Sequence, residues 1–127
     1  MKFSYDTSYF PPAPTIEIWL SAPDESTAQG PLMAFIDTGA DLSLIPMAYL
    51  KPLQTQIDDY RYLRSQWGEH RMVAIYSLDI RIGQLKFPAI EVVGDELEDE
   101  IILGRNLLNK LVMMLHGPQQ MLTLSES

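Results

Sequence analysis

The stretch from Ala34 to Asp41 reads AFIDTGAD, and in it an apolar run leads straight into a carboxylate, a hydroxyl and a glycine. The run at residues 32–36 is apolar throughout and short enough for a strand buried on both faces of a sheet. A carboxylate that follows such a strand is costly to bury unless it is paired or has a chemical task. Asp37 is therefore the first candidate for a functional residue.

On both sides of this stretch, strand patterns alternate with turn signals. The segment TIEIWL at residues 15–20 alternates apolar and polar residues with a period of two, which predicts a half-buried strand. Apolar runs that end at glycine, proline or polar residues predict further strands at residues 42–45, 60–66, 71–82, 85–93, 101–104, 112–115 and 121–124. The segments 60–66 and 71–82 would form one hairpin, and 112–115 and 121–124 another.

Helical patterns are scarce. Residues 105–111 form the best helical pattern, residues 47–53 predict a helical turn, and residues 94–100 predict an acidic turn. The prolines of the segment FPPAP at residues 10–14 remove donors and fix φ, so residues 1–14 are predicted to be an extended arm. Because no repeat or linker is visible, residues 15–127 are predicted to be one mostly β domain.

Composition excludes several classes of site. The chain has 127 residues, of which 46% are hydrophobic and 20% charged, as in globular proteins. It has no cysteine, which excludes disulfides and thiolate metal sites, and its net charge of -8 disfavours nucleic acid as a partner. No apolar run is long enough to span a membrane, and the first residues lack the apolar core of a signal peptide. We therefore expect a cytoplasmic location and no membrane partner.

Two separate blocks, FIDTGAD at residues 35–41 and EIILGRNLL at residues 100–108, resemble the retropepsins. This family comprises the retroviral-type aspartic proteases and their cellular and bacterial relatives. The resemblance covers roughly residues 15–124 and implies a closed, antiparallel β-barrel-like acid protease fold with one short C-terminal helix. It also implies an aspartic endopeptidase that uses no metal or other cofactor.

The resemblance assigns the catalytic role to Asp37. In such enzymes two carboxylates share one proton and hold the water that attacks the peptide bond. Since the chain carries a single Asp-Thr-Gly sequence, the second carboxylate has to come from another copy. A two-fold homodimer acting on a peptide or protein substrate is therefore expected.

The resemblance also assigns supporting roles around Asp37. Thr38 would form a hydrogen bond with the opposing loop, Gly39, which has no Cβ, would let the loop turn close to the carboxylate, and Ala40 would belong to the residues that support the site. Asp41 and Arg105 would form an ion pair that is bidentate and partly buried, as suits a planar guanidinium.

A flap that covers the substrate would have its tip at Ser65, Gln66, Trp67 and Gly68. The retroviral flap is richer in glycine, so a stiffer flap, or a tip elsewhere between Arg61 and Arg71, is expected here. Retroviral enzymes also interleave both chain ends in the dimer, whereas this chain starts with a proline-rich segment and ends with polar residues.

Three other readings of the sequence remain. His70 or His116 with Ser43 or Ser77 would supply the residue types of a serine triad, but no nucleophile elbow surrounds either serine. The acidic segment at residues 95–100 lacks the ligand spacing of a calcium loop and is expected to be a solvated turn. The alternative function is a catalytically silent peptide-binding or dimerisation module with the retropepsin fold.

Overall fold

The computed structural model describes residues 1–64 and 68–126, and strands dominate it. The strands are β1 (Lys2–Ser4), β2 (Thr15–Ser21), β3 (Gln29–Ile36), β4 (Ser43–Pro46), β5 (Asp59–Arg64), β6 (His70–Ile82), β7 (Leu85–Asp95), β8 (Ile101–Leu103), β9 (Leu111–His116) and β10 (Met121–Glu126). The helices are α1 (Met47–Leu50), which a 3-10 turn at Lys51–Leu53 follows, and α2 (Arg105–Leu108). None of the helices in these residues is long and apolar enough to cross a membrane.

The larger sheet closes into a barrel. Its strand order is β2-β3-β8-β4-β7-β6-β5, and β2 also pairs with β6. This pairing closes the six strands from β2 to β6 around the core, while β5 extends outside the ring. The alternation in β2 determines which of its side chains face the inside of the barrel. Ile16, Ile18 and Leu20 are fully buried, while Glu17 between them is exposed. The predicted closed, mostly β acid protease fold is confirmed, with parallel pairings of β3 with β8 and of β4 with β7 as a difference of detail.

A separate three-stranded sheet joins the two ends of the chain, in the order β1-β10-β9. The backbone of Met1 is hydrogen-bonded to that of Leu124 in both directions, at 2.9 and 2.8 Å. Within the segment predicted as an arm, β1 is thus paired with β10, and an isolated bridge joins Asp6 to Ala13. Both predicted hairpins are also present, as β5–β6 and β9–β10.

Two local predictions were wrong. In the run at residues 32–36 only Ala34 is buried, and Met33 is 45% exposed, because the outer face of β3 is covered only in part. There the ring of Tyr9 packs edge-on against Phe35, with 4.9 Å between the ring centroids. The helix predicted at 105–111 ends at Leu108, because Leu111 already pairs with β10 and long-range strand pairing overrides helix propensity.

A buried carboxylate, Asp79, ties a surface loop to the barrel. It is 3% exposed and accepts backbone N–H bonds from Ala89 at 2.9 Å and from Asp24 at 3.1 Å. Burial by itself raises the pKa of Asp79, but these two bonds and the ammonium of Lys86, 3.7 Å away, outweigh it and leave the pKa below its usual value. The ionised form of Asp79 therefore stabilises the fold.

Candidate active site

The site forms where two parallel strands end side by side. Ile36 at the end of β3 is paired with Leu103 at the end of β8, and the N–H of Asp37 continues this pairing by donating to the carbonyl of Leu103 at 2.9 Å. Because parallel strands end at the same edge of a sheet, the segment after β3 meets the segment after β8. The two blocks of sequence that carry the resemblance are therefore neighbours in space.

The loop after β3 is a tight turn around the carboxylate of Asp37. The N–H of Ala40 donates to the carbonyl of Asp37 at 3.2 Å, and the N–H of Gly39 donates to its Oδ1 at 2.8 Å. A Cβ on Gly39 would lie 3.1 Å from the same Oδ1, so glycine favours the close approach of the backbone to the carboxylate and is not there for an unusual φ. The side chain of Asp37 is exposed, and within residues 1–64 and 68–126 its Oδ2 accepts no hydrogen bond.

Arg105, the first residue of α2, holds this loop in place. Its backbone N–H donates to the carbonyl of Ala40 at 2.8 Å, and its Nη1 donates to the carbonyl of Thr38 at 2.7 Å. Its Nη2 forms an ion pair with Oδ1 of Asp41. The structure thus brings together the acid and the base that the sequence paired.

The geometry of that pair differs from the expected one. Nη1 and Nη2 of the guanidinium bind separate groups, so the contact with the carboxylate is not bidentate. Both side chains are exposed, at 43% for Arg105 and 81% for Asp41. Since exposed ion pairs contribute little free energy, the main effect of Arg105 is geometric. It fixes both the backbone and the acidic side chain of the loop that carries Asp37.

Two polar residues, whose supporting role the sequence reasoning missed, hold the segments on either side of the site in place. Ser43 is fully buried, and its Oγ accepts the N–H of Gly104 at 3.0 Å and donates to Oδ1 of Asn106 at 3.1 Å. Asn106 in turn donates to the carbonyl of Glu91 at 2.7 Å. The signals were a serine between Leu42 and Leu44 and an asparagine inside GRNLL, because a buried polar side chain requires partners.

Gly104 is the point of closest approach between the two blocks. A Cβ there would lie 2.5 Å from the carbonyl oxygen of Leu42 and 2.9 Å from that of Ala40. Both neighbours are backbone atoms of the site loop, so only glycine fits without moving that loop.

A second apolar cluster lies next to the loop. Its buried members are Val73, Ile75 and Val93, and the half-buried side chains that pack against it are Leu42, Leu44 and Leu63. Leu42 directly follows Asp41 in the chain, so this cluster is continuous with the site. Its half-buried leucines offer an apolar surface that begins one residue after the loop.

The flap residues Ser65, Gln66 and Trp67 lie outside the described residues. Gly68 is described and has a φ of 84°, in the left-handed region, with open space where a Cβ would point. The strands that lead to and from this segment, β5 and β6, are antiparallel, as expected of a flap hairpin.

The candidate residues of the serine triad and of the acidic turn make other, local contacts or are exposed. His70 and His116 are exposed, Ser43 is bound within its own network, and Ser77 donates a hydrogen bond to Asp58. Asp95 is 4% exposed and closes the acidic turn by accepting the N–H groups of two following residues, Leu97 and Glu98. Over the part of the chain that the structure describes, no group of three or more potential metal ligands occurs.

Comparison with known proteins places this site in a family. The family model described as "gag-polyprotein putative aspartyl protease" matches residues 27–110, which include both blocks of the site. None of the curated proteins is a significant match to the chain.

Two solved structures share the fold. A retropepsin-like aspartic protease from Rickettsia conorii is similar with a TM-score of 0.67 and 17% identity, over 98% of this chain and 88% of that one. The foamy viral protease-reverse transcriptase, solved with an RNA/DNA hybrid, is similar with a TM-score of 0.50 and 22% identity, over 72% of this chain and 11% of that one. The chain therefore belongs to the gag-polyprotein type of aspartyl protease family and has the retropepsin-like fold.

Proposed function

We propose that the protein is an aspartic endopeptidase that is active as a homodimer, with Asp37 of each copy contributing one of the two catalytic carboxylates. The observation that carries the proposal is the state of Asp37 itself. Its carboxylate is exposed, and one oxygen is oriented by the N–H of Gly39 while the other accepts no bond from the described residues. The aspartyl protease family model matches the segment that contains this carboxylate, which favours a catalytic role over simple capping of the turn.

The chemistry follows from placing two such groups together. Two carboxylates a few ångströms apart cannot both ionise, a behaviour for which the aspartic proteases are the standard example, so the pair shares a proton. The ionised member takes a proton from a water held between them, and the oxygen of that water attacks the carbonyl carbon of the peptide bond. The protonated member donates a hydrogen bond to the carbonyl oxygen. The C–N bond of the resulting tetrahedral intermediate then breaks as the leaving nitrogen takes the proton that the other carboxylate removed from water, and no covalent bond forms between enzyme and substrate.

The supports of the loop serve this pairing. Two carboxylates that share a water have to be placed to within a fraction of an ångström. The hydrogen bond from the backbone N–H of Arg105 to Ala40 and the close contact at Gly104 fix the loop from two sides. Both contacts are made within one chain. Each copy would thus present a preformed half of the site.

The substrate would be a peptide in extended form. Extended peptides bind through backbone hydrogen bonds, with alternate side chains entering pockets. The apolar surface formed by Leu42, Leu44 and Leu63 would accept an apolar side chain of the substrate. The β5–β6 hairpin would cover the peptide from the opposite side.

Cleavage of a denatured protein between about pH 4 and pH 7 tests the catalytic assignment, since paired carboxylates work below neutral pH. Asp37→Asn keeps the size of the side chain but removes the group that ionises, and it should abolish cleavage. Glu17→Gln, the same chemical change at an exposed position of β2, should leave cleavage unchanged. Equal behaviour of wild type and Asp37→Asn would instead favour a silent peptide-binding or dimerisation module.

Dilution tests the requirement for a dimer. If two copies build one site, the specific rate per chain falls once the protein concentration drops below the dissociation constant of the dimer. A specific rate that stays constant over the whole dilution series would rule out a site shared between copies.

A further inference from the structure

The β5–β6 hairpin carries apolar side chains on both of its faces. Side chains of a strand alternate between the two faces of its sheet, and an antiparallel sheet commonly presents polar side chains on the face that meets water. Val73 and Ile75 of β6 point to one face, where they are buried in the apolar cluster next to the site loop. Met72 and Ala74 alternate with them along the strand. They therefore point to the other face, which is apolar as well.

This second face is exposed along the hairpin. Tyr60 of β5 is paired with Ala74 and Tyr62 with Met72, so both tyrosines lie on it too. Tyr60, Tyr62 and Met72 are 58%, 69% and 51% exposed. Further along β6 the same face is covered, because Tyr76 belongs to the barrel core. The exposed face is thus a continuation of the core that protrudes from the barrel without a cover among the described residues.

A groove of about 450 Å³ runs along this face, a size within the range of about 300–1,000 Å³ that is typical of ligand sites. Its opposite wall is formed by Met47 at the start of α1, Gly94 near the end of β7 and Leu97 in the turn that follows. Leu97 is 72% exposed. The charged residues that line the groove, Arg71 and Glu96, have opposite signs. An exposed apolar patch bordered by polar residues is typical of an interaction site.

The groove continues into an acidic surface at the turn after β7. A second depression, of about 470 Å³, shares Met47 and Glu96 with the groove. The exposed charges that line it are the carboxylates of Glu96, Glu98 and Asp99 and a single ammonium, that of Lys51. Charge complementarity therefore favours a partner that presents basic side chains next to an apolar one.

We propose that the groove and the acidic surface together bind a polypeptide segment in which basic residues follow an apolar side chain. The apolar side chain would be held against Met47 and Met72, whose flexible thioethers adapt to side chains of different shape. The basic side chains would lie along Glu96 and Glu98. This site is separate from the candidate active site, since it uses the face of the hairpin opposite to Ile75. The inference goes beyond the proposed function and does not depend on it.

The shape of the groove favours a polypeptide over a small molecule. A site for a small molecule encloses most of its ligand. Tyr60, Met72 and Leu97 are each more than half exposed, so this groove is open on one side. A polypeptide segment can leave along that side and still reach both the apolar and the acidic part.

Methionine methyl signals in NMR spectra can locate the binding site directly. The full chain with Asp37→Asn, which prevents cleavage in the proposed active site, would be labelled at its methionine methyl carbons and titrated with a short peptide containing Phe-Leu-Lys-Lys. The signals of Met47 and Met72, which line the groove, should shift. Those of Met33 and Met114, which are 45% and 54% exposed on other strands, should not.

Two matched pairs of substitutions in the same background test the contacts, with the Kd measured by fluorescence anisotropy of the labelled peptide. Met72→Ser should raise the Kd by about fivefold or more, because the peptide buries the exposed half of this side chain. Met33→Ser, the same change on β3, should leave the Kd unchanged. Glu96→Gln should raise the Kd by about two- to fivefold at low salt, whereas Glu17→Gln on β2 should not.

Changes in the peptide test its chemistry. Replacing both lysines by glutamates, or Phe-Leu by Ser-Ser, should weaken binding by at least about tenfold, and added salt should weaken the binding of the lysine peptide. Shifts at Met47 and Met72 that disappear with the glutamate peptide support the proposal. Equal binding of the lysine and glutamate peptides, shifts confined to other methionines, or no binding of the lysine peptide overturns it. Because binding is read with Asp37→Asn, the result is the same whether or not the wild type cleaves peptides.

Discussion

Replacing Gly104 by alanine adds one methyl group at the point where the two blocks of the site touch. The new Cβ would lie 2.5 Å from the carbonyl oxygen of Leu42, whereas ordinary contact begins at 3.4 Å, so the neighbouring backbone has to move by about 0.9 Å. The φ of Gly104 is -96°, which alanine adopts without strain. The steric contact is therefore the whole of the expected penalty.

The displacement should affect both stability and catalysis. Overfilling a packed site by one methyl group costs typically about 1–3 kcal/mol, which lowers Tm by about 4 °C per kcal/mol in a domain of this size. The displaced segment carries Asp37, and a misplacement of about 1 Å can reduce the rate of a catalytic step by about 10²-fold. We expect kcat/KM to fall by about that factor.

Thermal unfolding and peptide cleavage by the purified variant measure these two effects. Gly117→Ala is the matched control, because a Cβ at Gly117 meets no atom within 4 Å and its turn lies away from the loop. If Gly104→Ala unfolds and cleaves like Gly117→Ala, the close contact does not set the position of the loop, and the reasoning is refuted.

Three further predictions concern other groups. Arg105→Lys replaces the two nitrogens that bind Thr38 and Asp41 by a single ammonium, so we expect the free energy of unfolding in urea to fall by about 1 kcal/mol. An unchanged midpoint of unfolding would contradict this. Asp79→Asn removes a carboxylate whose pKa is lowered in the folded state, so it should lower the free energy of unfolding by about 1–3 kcal/mol at neutral pH, above the unfolded pKa. This difference between variant and wild type should vanish as the pH falls through the folded pKa. Unfolding at several pH values measures it, and a cost independent of pH would argue against the ionised form. The hydrogen bond to Glu100 raises the pKa of Tyr9 to about 12, so Glu100→Gln should bring it back towards 10.0 in a titration of tyrosinate absorbance, with Tyr9→Phe identifying the signal.

The local pattern of the sequence was sufficient for most of the strands and for the family. Period-two alternation predicted β2, glycine and proline punctuation predicted the two hairpins, and the pair of blocks predicted the retropepsin-like fold. These features depend on residues close together in the chain, so they can be read without knowing what packs against them. The pairing of Asp41 with Arg105 also followed from the sequence, although only as part of the resemblance.

Tertiary structure decided the features that depend on contacts between distant segments. It ended α2 at Leu108 because Leu111 pairs with β10, and it divided the guanidinium of Arg105 between a carbonyl and a carboxylate. It also paired β1 with β10, so the two ends of the chain lie in one sheet. Strand pairing can depend on segments far apart in the chain, as β1 and β10 are, and a local pattern carries no information about which of several competing partners a strand will take.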